Sequence, residues 1–249
     1  MNWLHLLKRP LDIPKATRPF FRDYPLRVTA HIANSRCVIS DPMRFLYFRI
    51  PKAANSTIVA TLYKQEHGDV GGKGVKMKGS YRHPDSLDAS EARDVRDNYF
   101  KFTVVRNPYD RFLSAYLDKI AGDRLRQKSK VTRALKLKPE EPVNIDRFLD
   151  YLEFEKGTLG DAHWAIQTDM IFMPLDQLDF IGKVESLSED LPVIVERIFG
   201  NHEFAIEQRA SHATGASSKR KTMLNHNQML RIHRIYEQDF DLLHYPAEL

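Results

Sequence analysis

Cysteine is almost absent from this 249-residue sequence, which contains Cys37 alone and therefore cannot form an internal disulfide. A chain without disulfides is typical of a reducing compartment. Long apolar runs are also missing, because no stretch reaches the roughly 18 apolar residues of a membrane span. The apolar run of residues 3–7 is too short for a signal peptide, and Lys8 and Arg9 follow it instead of preceding it. These absences predict a soluble, cytoplasmic protein.

The glycine content and the excess of positive over negative charge are also small. The chain has 11 glycines, 42% hydrophobic residues and 29% charged residues, a balance that excludes a collagen-like or disordered chain. The 38 Lys and Arg residues outnumber the 33 Asp and Glu residues, for a net charge of +5. This mild excess favours anionic ligands without requiring nucleic acid.

Hydrophobic periodicity predicts short buried strands that alternate with helices, which indicates an α/β fold with a central parallel sheet flanked by helices. The expected strands are residues 36–39, 44–50, 99–105 and 178–182. The expected helices are 56–66, 90–98, one from Pro108, 145–154, 189–199 and 224–243, and the glycine-rich residues 68–79 are expected to form a flexible loop. Prolines predict an extended N-terminal segment over 1–35, followed by one domain over 36–249.

The first informative motif is residues 50–57, Ile-Pro-Lys-Ala-Ala-Asn-Ser-Thr, between a buried strand and a helix. In such a turn the N–H groups and positive end of the helix favour phosphate or sulfate. Lys52 adds a full charge, and Ser56 and Thr57 add hydroxyl donors. The motif is not a Walker A loop, whose lysine ends a glycine-rich loop. Taken alone, a plain strand-turn-helix connection explains it equally well.

The second motif is residues 102–116, which repeats the order of strand, turn and helix. Arg106 stands at the expected end of the strand, where an unpaired charge would be costly. Arg111 and Ser114 lie three residues apart on one helix face, so a guanidinium and a hydroxyl are available for a second phosphate. Alternatively, Arg106 pairs with a carboxylate in the core and Ser114 is an ordinary helix residue. Two such sites suggest a ligand with two separated anionic groups.

Together, PKAANST and VVRNPYDRFLSAY resemble the cofactor motifs of sulfotransferases that use 3′-phosphoadenosine 5′-phosphosulfate (PAPS). The resemblance is to the carbohydrate-type branch, which includes chondroitin and related glycan sulfotransferases and bacterial relatives. Weaker sequence similarity to the family includes Gln167 and residues 181–185 and 236–240, so the resemblance spans about residues 36–245. It implies a parallel sheet similar to that of nucleotide kinases.

The resemblance also implies residue roles. Lys52, Ala53, Ala54, Asn55, Ser56 and Thr57 would form the 5′-phosphosulfate loop, with Lys52 also acting on the leaving group. Arg106 and Ser114 would bind the 3′-phosphate. Ala54 stands where many relatives have glycine, Asn55 where many have threonine or cysteine, and Ile58 where tryptophan is frequent. No metal is implied, and the sequence has no H-E-x-x-H motif and no cysteine pair.

Transfer to a hydroxyl requires a general base, for which histidine is the usual side chain near neutral pH. His83 lies between the two motifs, and in similar glycan sulfotransferases a histidine in that interval is the proposed base. His163 is the second candidate, although it can instead shape an acceptor pocket together with Trp164. Trp164 is equally consistent with simple core packing.

Two basic segments have no assigned role. Residues 124–138 hold seven basic residues and no acid, which indicates a solvated face or a surface for an acidic glycan. Residues 217–221, Ser-Ser-Lys-Arg-Lys, are expected to form a basic loop. The resemblance implies that such a loop closes the 3′-phosphate site, here through Lys219, Arg220 and Lys221, and the alternative is a solvated linker.

The leading hypothesis is an enzyme that transfers sulfate from PAPS to a hydroxyl acceptor, expected to be a carbohydrate, with release of 3′,5′-adenosine bisphosphate (PAP). We expect no nucleic acid partner. One alternative is an ATP-dependent kinase with an atypical phosphate loop, which would need a carboxylate for Mg²⁺. Another is a non-enzymatic polyanion-binding protein, whose binding would weaken steeply with salt.

Overall fold

The computed structural model describes residues 17–68, 77, 79–122, 125–138, 140–154, 160–200, 206 and 215–247. By its internal contacts the chain divides into two compact units. The first comprises Met1–Val105 and Asp169–Arg209, and the second comprises Arg106–Thr168 and Ala210–Leu249.

The first unit contains a four-stranded sheet in the order β1-β2-β3-β4. The strands are β1 Cys37–Ser40, β2 Phe45–Phe48, β3 Phe100–Val105 and β4 Phe180–Lys183. β2, β3 and β4 run parallel, and β1 pairs antiparallel with β2, with Cys37 opposite Phe48. Every residue of β2 is buried, as expected for a strand covered on both faces.

The described residues form twelve α-helices. In chain order they are α1 Pro19–Arg22, α2 Ala30–Ser35, α3 Asn55–His67, α4 Ala89–Asn98, α5 Pro108–Lys119, α6 Leu125–Ala134, α7 Ile145–Phe154, α8 Gln167–Met170, α9 Leu187–Phe199, α10 Ala216–Met223, α11 His226–Ile235 and α12 Glu237–Leu242. Short 3₁₀ turns cover Pro84–Ser86, Leu175–Gln177 and Val184–Ser186.

Apolar side chains bury the sheet of the first unit. In the larger cluster, β2 and β3 contribute Tyr47 and Phe102, whose rings stack 4.6 Å apart, and α3 and α9 contribute Ile58 and Ile194. A smaller aromatic cluster joins Phe48 to Phe172, which also contacts the two phenylalanines of α1. Burying one such side chain contributes about 1.5–3 kcal/mol, so these clusters hold the sheet whose strand ends carry the candidate site.

The second unit is built from helices around aromatic side chains. Phe112 of α5 and Phe148 of α7 lie 5.5 Å apart, and the edge of Trp164 meets Phe148 at 5.4 Å. The Tyr236 hydroxyl donates to the Trp164 carbonyl oxygen at 2.9 Å. These contacts fix Trp164, which lies shortly before α8, against the helices.

The expected α/β fold is confirmed, and the predicted strands and helices are found within a few residues of their expected bounds. Local chemistry explains the accuracy at two helix starts. Asp88 and Glu91 form a capping box at α4, and Pro108 occupies the first turn of α5.

Three segments differ from the expectation. Residues 17–35 contain α1 and α2 instead of an extended chain, because Pro19 suits a first helical turn and Thr29 caps α2 by accepting from the Ile32 N–H. Residues 217–221 belong to α10 and are not a loop. The single helix expected over 224–243 is divided, because the backbone of Tyr236 leaves helical geometry between α11 and α12.

Two other expectations are only partly covered. Of the loop expected over residues 68–79, residues 69–76 and 78 lie outside the described residues. Met77 and Gly79 are described and are helical, outside the twelve helices given above, so the loop prediction is wrong at these two positions. The division of the chain at residue 35 into a segment and a domain stays a prediction. Among the described residues, no helix is both long enough and apolar enough to cross a membrane.

Candidate functional site

The turn between β2 and α3 carries the first candidate site and has an unusual backbone. Lys52 and Ala54 have φ angles of 69° and 51°. This left-handed region costs a residue with a β-carbon roughly 1–2 kcal/mol. The Ala53 N–H donates to the Ile50 carbonyl oxygen at 3.3 Å, which tightens the turn. Such local strain is concentrated at functional sites.

The amino end of α3 is suited to an oxyanion. Its N-cap is Ala54, whose methyl group cannot accept a hydrogen bond from the first turn. Asn55, Ser56 and Thr57 occupy that turn, at the positive end of a 13-residue helix. Backbone N–H groups, two hydroxyls and the Lys52 ammonium form a donor set that fits a phosphosulfate group.

His83 is held at the same edge of the sheet in the first unit. Its Nδ1 lies 2.7 Å from the carbonyl oxygen of Cys37, and Cys37 pairs with Phe48 at the end of β2. A carbonyl oxygen only accepts hydrogen bonds, so Nδ1 carries the proton. In the neutral ring, Nε2 is therefore the basic nitrogen.

The residues flanking His83 are anchored by several bonds. Arg82 bridges to β1 at Ile39, and its guanidinium pairs with Asp41 at 2.9 Å and Glu91 at 3.0 Å. The Asp85 N–H donates to the Asn34 side chain at 2.9 Å. These anchors restrict the position of the imidazole.

Arg106, at the start of the second unit, is held through its backbone by Gln167. The Arg106 N–H donates to Gln167 Oε1 at 3.0 Å, and Gln167 Nε2 donates to the Arg106 carbonyl oxygen at 2.9 Å. Gln167 is fully buried, and its own N–H donates to Asp239 at 2.8 Å. Arg106 Nη2 donates to Ser217 Oγ of α10 at 3.2 Å, so its guanidinium points to the first turn of that helix.

Asp239, which anchors this clamp, is itself buried. Burial raises the pKa of the carboxyl, although Arg111 and the hydrogen bonds from Gln167 and Thr168 act in the opposite direction. Its oxygens also accept from the N–H and hydroxyl of Thr168, each at 2.9 Å. The clamp therefore depends on residues more than 60 positions away in the sequence.

Arg111 and Ser114 differ from the expectation. Arg111 is only 2% exposed and donates to the carbonyl oxygens of Ala165 at 2.7 Å and Ala162 at 3.2 Å. The prediction that its guanidinium binds a phosphate is therefore wrong, and Arg111 has a structural role. Ser114 lies on the same helix and is 2% exposed, and its role toward a phosphate stays a prediction.

The basic residues of α10 separate into two kinds. Arg220 lies 3.6 Å from Asp110 and above the ring of Tyr109, so it stabilises the packing of α10 on α5. Lys219 and Lys221 are exposed. Ser217, by contrast, is the residue that Arg106 contacts, and the only sequence signal for it is its place beside this basic stretch.

His163 belongs to a second histidine site, located in the second unit. Its Nδ1 lies 2.6 Å from Asp161 Oδ1. Burial alone would raise the pKa of the Asp161 carboxyl, but the hydrogen bonds and charge of His163 and the charge of Lys130 lower it overall. Because the carboxylate accepts from Nδ1, Nε2 is again the basic nitrogen in the neutral ring.

Trp164 is part of the core, since it is 1% exposed and packs edge-on against Phe148 and Tyr151. Of the two interpretations of Trp164, simple core packing is therefore confirmed. From residue 125 onward, the basic run forms α6 and the residues after it. One of its lysines, Lys130, donates to the Gly160 carbonyl oxygen at 3.0 Å.

In the described part of the chain, no three His, Cys, Asp or Glu side chains are arranged to hold a metal ion.

Comparison with known proteins links these motifs to one family. Residues 35–246 match the Sulfotransferase family. Carbohydrate sulfotransferase 14 of Danio rerio is 29% identical over 175 residues, which cover 65% of this chain and 47% of that protein. Carbohydrate sulfotransferase 9 of Homo sapiens is 27% identical over 187 residues, 66% of this chain and 41% of that protein.

Carbohydrate sulfotransferase 10 of Xenopus laevis is matched over more of its length. It is 25% identical over 259 residues, 88% of this chain and 71% of that protein. The chain thus spans about half the length of the first relatives it matches. No solved structure matches the chain significantly.

Proposed function

Because the chain belongs to the Sulfotransferase family, we propose that it transfers the sulfuryl group of PAPS to a hydroxyl of a carbohydrate. The observation that supports this proposal is that His83 and the Lys52 turn, residues 49–54 between β2 and α3, are both attached at the same end of the β1–β2 pair. The turn follows β2, and His83 is bonded to Cys37, the residue opposite the last residue of β2. A cationic oxyanion site and a candidate base are thereby joined through one pair of strands.

The Lys52 turn fits the donor through its own groups. The first-turn N–H groups of α3 and the hydroxyls of Ser56 and Thr57 would hold the 5′-phosphate, with Ala53, Ala54 and Asn55 shaping the turn. The Lys52 ammonium would neutralise the charge that develops on the departing phosphate oxygen. PAPS supplies an activated sulfuryl group for in-line transfer, so the protein contributes mainly positioning and charge stabilisation.

His83 would act as the general base. Nε2 of its neutral imidazole accepts the proton of the acceptor hydroxyl, while the bond from Nδ1 to Cys37 keeps the ring in the required tautomer. The dyad of His163 and Asp161 is the competing candidate, because its geometry gives the same tautomer.

Arg106 and Ser114 would bind the 3′-phosphate, as the resemblance implies. The contact of Arg106 with Ser217 brings the guanidinium to the first turn of α10, which supports a phosphate site there. We add Ser217 to the proposed phosphate-binding residues as a hydroxyl donor. A charge-assisted bond to a phosphate is roughly twice as strong as a neutral one, so Arg106 would supply most of the recognition.

The carbohydrate acceptor is proposed from the names of the relatives, which are all carbohydrate sulfotransferases. Which sugar and which hydroxyl accept the group are questions for an acceptor screen. The cytoplasmic location stays a prediction drawn from cysteine usage and the absence of long apolar runs.

A ligand comparison tests the function. Thermal unfolding of the full chain is measured with PAP, with ATP and Mg²⁺, and with heparin. We expect PAP to raise the melting temperature most, and Lys52→Ala to reduce that shift. Stabilisation by ATP and Mg²⁺ but not by PAP would favour a kinase, and a salt-sensitive response to heparin alone would favour a polyanion-binding protein.

A further inference from the structure

Arg49 is a buried cation directly after β2, and the sequence motifs did not single it out. The residue is 4% exposed, and its backbone N–H donates to the Arg36 carbonyl oxygen at 2.6 Å. Within the ranges that the structure describes, its guanidinium makes no hydrogen bond or ion pair, and its Nε is buried without a partner. A buried charge without a counter-charge is strongly unfavourable.

The groups nearest to Arg49 do not supply a counter-charge. Burial lowers the pKa of Arg49, and the polar neighbours that act in the opposite direction are Tyr47 and Cys37. Burial raises the pKa of both the Tyr47 phenol and the Cys37 thiol, so both are neutral near pH 7. Among the described residues, no group therefore compensates the positive charge of Arg49.

Other buried cations show what a structural role looks like. The Arg111 guanidinium donates to two backbone carbonyl oxygens. In β3, which pairs with the strand that Arg49 follows, Lys101 is 8% exposed, donates to the Tyr99 carbonyl oxygen at 2.9 Å and lies 3.2 Å from Asp179. Arg49 has neither kind of partner among the described residues. This absence indicates that a ligand is the partner of its guanidinium.

The position of Arg49 indicates which ligand. It precedes Lys52 by three residues, and its backbone bond to Arg36 places it beside Cys37, whose carbonyl oxygen holds His83. Arg49 therefore leads from β2 into the Lys52 turn, and its backbone partner Arg36 directly precedes the residue that holds His83. Planar guanidinium groups bind phosphate, sulfate and carboxylate oxygens through two parallel bonds.

We propose that the Arg49 guanidinium binds an oxyanion of a ligand at the Lys52 turn, as a binding residue in addition to the turn itself. The proposal rests on the proposed function. The oxyanion has two possible sources: the 5′-phosphate of the donor, which PAP retains, or a carboxylate or sulfate ester of an acidic acceptor glycan. In either case, binding supplies the charge that burial leaves uncompensated.

Binding measurements on the full chain separate the two sources. PAP affinity is measured by calorimetry, and affinity for a labelled chondroitin hexasaccharide by fluorescence anisotropy, for the wild type, Arg49→Met and Arg49→Lys. We expect Arg49→Met to weaken one of the two ligands at least tenfold, and Arg49→Lys to recover part of the loss. A loss for PAP identifies the donor as the source, and a loss for the hexasaccharide alone identifies the acceptor. Unchanged affinity for both ligands overturns the proposal.

Thermal unfolding without ligand gives a readout that is independent of sulfotransferase activity. Arg49→Met removes an uncompensated charge, so we expect a melting temperature equal to or above that of the wild type. Lys101→Met, the matched control, removes a paired cation and should lower the melting temperature while leaving both affinities within twofold. A lower melting temperature for Arg49→Met with both affinities kept would assign Arg49 a purely structural role.

The failure of the function and the failure of this inference are distinguishable. A wild-type chain that binds no PAP argues against the proposed donor. Sodium sulfate then replaces PAP as the probe, at constant ionic strength against sodium chloride. A specific sulfate-induced rise in melting temperature that is smaller in Arg49→Met than in Lys101→Met still supports Arg49 as an oxyanion ligand, and equal rises overturn it.

Discussion

The turns that follow β2 and β3 share the order of strand, turn and helix, but they satisfy their backbone groups differently. After β2, the N-cap of α3 is Ala54, whose side chain offers no hydrogen-bond acceptor. After β3, the Asn107 side chain accepts from the Tyr109 N–H at 3.0 Å, and Gln167 binds both backbone groups of Arg106. The first turn can therefore present backbone N–H groups to an anion, whereas the second presents side chains.

Under the proposed function, this difference gives the two turns two kinds of anion recognition. A helix end without a side-chain cap places several N–H dipoles on one ligand. In a capped turn, side chains of the protein already accept hydrogen bonds from those N–H groups. Anion binding there depends on charged side chains such as Arg106. The predictions below test this division, beginning with the residues expected to matter most.

The largest effect is expected at His83, the base candidate beside the first turn. His83→Ala should slow the chemical step by roughly 10²–10⁴-fold and abolish the rise in rate that accompanies deprotonation of the imidazole. PAP affinity should stay nearly unchanged. The measurement is a pH-rate profile in single turnovers. The control is His163→Ala, and if that variant loses the pH-dependent limb while His83→Ala keeps it, the roles of the two histidines are reversed.

Lys52→Ala should come next, with a loss of about 2.7–4 kcal/mol of transition-state stabilisation, equivalent to about 10²–10³-fold in kcat. The free energy of unfolding should fall little, because the change leaves the core intact. Arg44→Ala is the matched control, since Arg44 is another cation at positive φ, at 49°, in the turn before β2. Turnover of Lys52→Ala within threefold of the wild type would remove Lys52 from the mechanism.

Arg106→Ala should weaken PAP by roughly 10–150-fold, the equivalent of about 1.5–3 kcal/mol for a hydrogen bond to a charged group. Adenosine 5′-phosphosulfate, which lacks the 3′-phosphate, should lose far less affinity. Ser217→Ala and Ser114→Ala should each have smaller effects, of about 0.5–1.5 kcal/mol. Calorimetry with both nucleotides provides the measurement, and equal losses for the two would show that Arg106 does not read the 3′-phosphate.

Asn107→Ala should lower the free energy of unfolding by about 1 kcal/mol, the usual contribution of an N-cap side chain. The change removes the acceptor for the Tyr109 N–H at the start of α5. Urea titration measures the loss. No loss would mean that the second turn does not depend on its cap and that the contrast with the first turn is wrong.

The smallest effect is expected at Ala54, and it has the opposite sign. Glycine removes the cost of roughly 1–2 kcal/mol that a β-carbon has at φ 51°, but it loses about 0.5–1 kcal/mol through the greater entropy of the unfolded chain. Ala54→Gly should therefore stabilise the protein by roughly 0.5–1 kcal/mol in the same titration. A destabilised variant would indicate that the Ala54 methyl group makes contacts that outweigh the strain.

The sequence by itself determined the local features of the site. The buried strands, the capping box at Asp88, the first turn of α5 at Pro108 and the Lys52 turn follow from patterns within about ten residues. The sequence likewise predicted that both turns are cationic, because Lys52 and Arg106 lie within the motifs themselves.

Only the tertiary structure decided which protein groups these side chains contact. Arg111 and Arg49 are both arginines in buried segments, yet Arg111 meets the carbonyl oxygens of Ala162 and Ala165, while Arg49 meets no partner among the described residues. His83 is oriented by the carbonyl oxygen of Cys37, 46 positions away. Every residue carries such a carbonyl, so no side-chain pattern marks the one that a fold will bring to an arginine or a histidine.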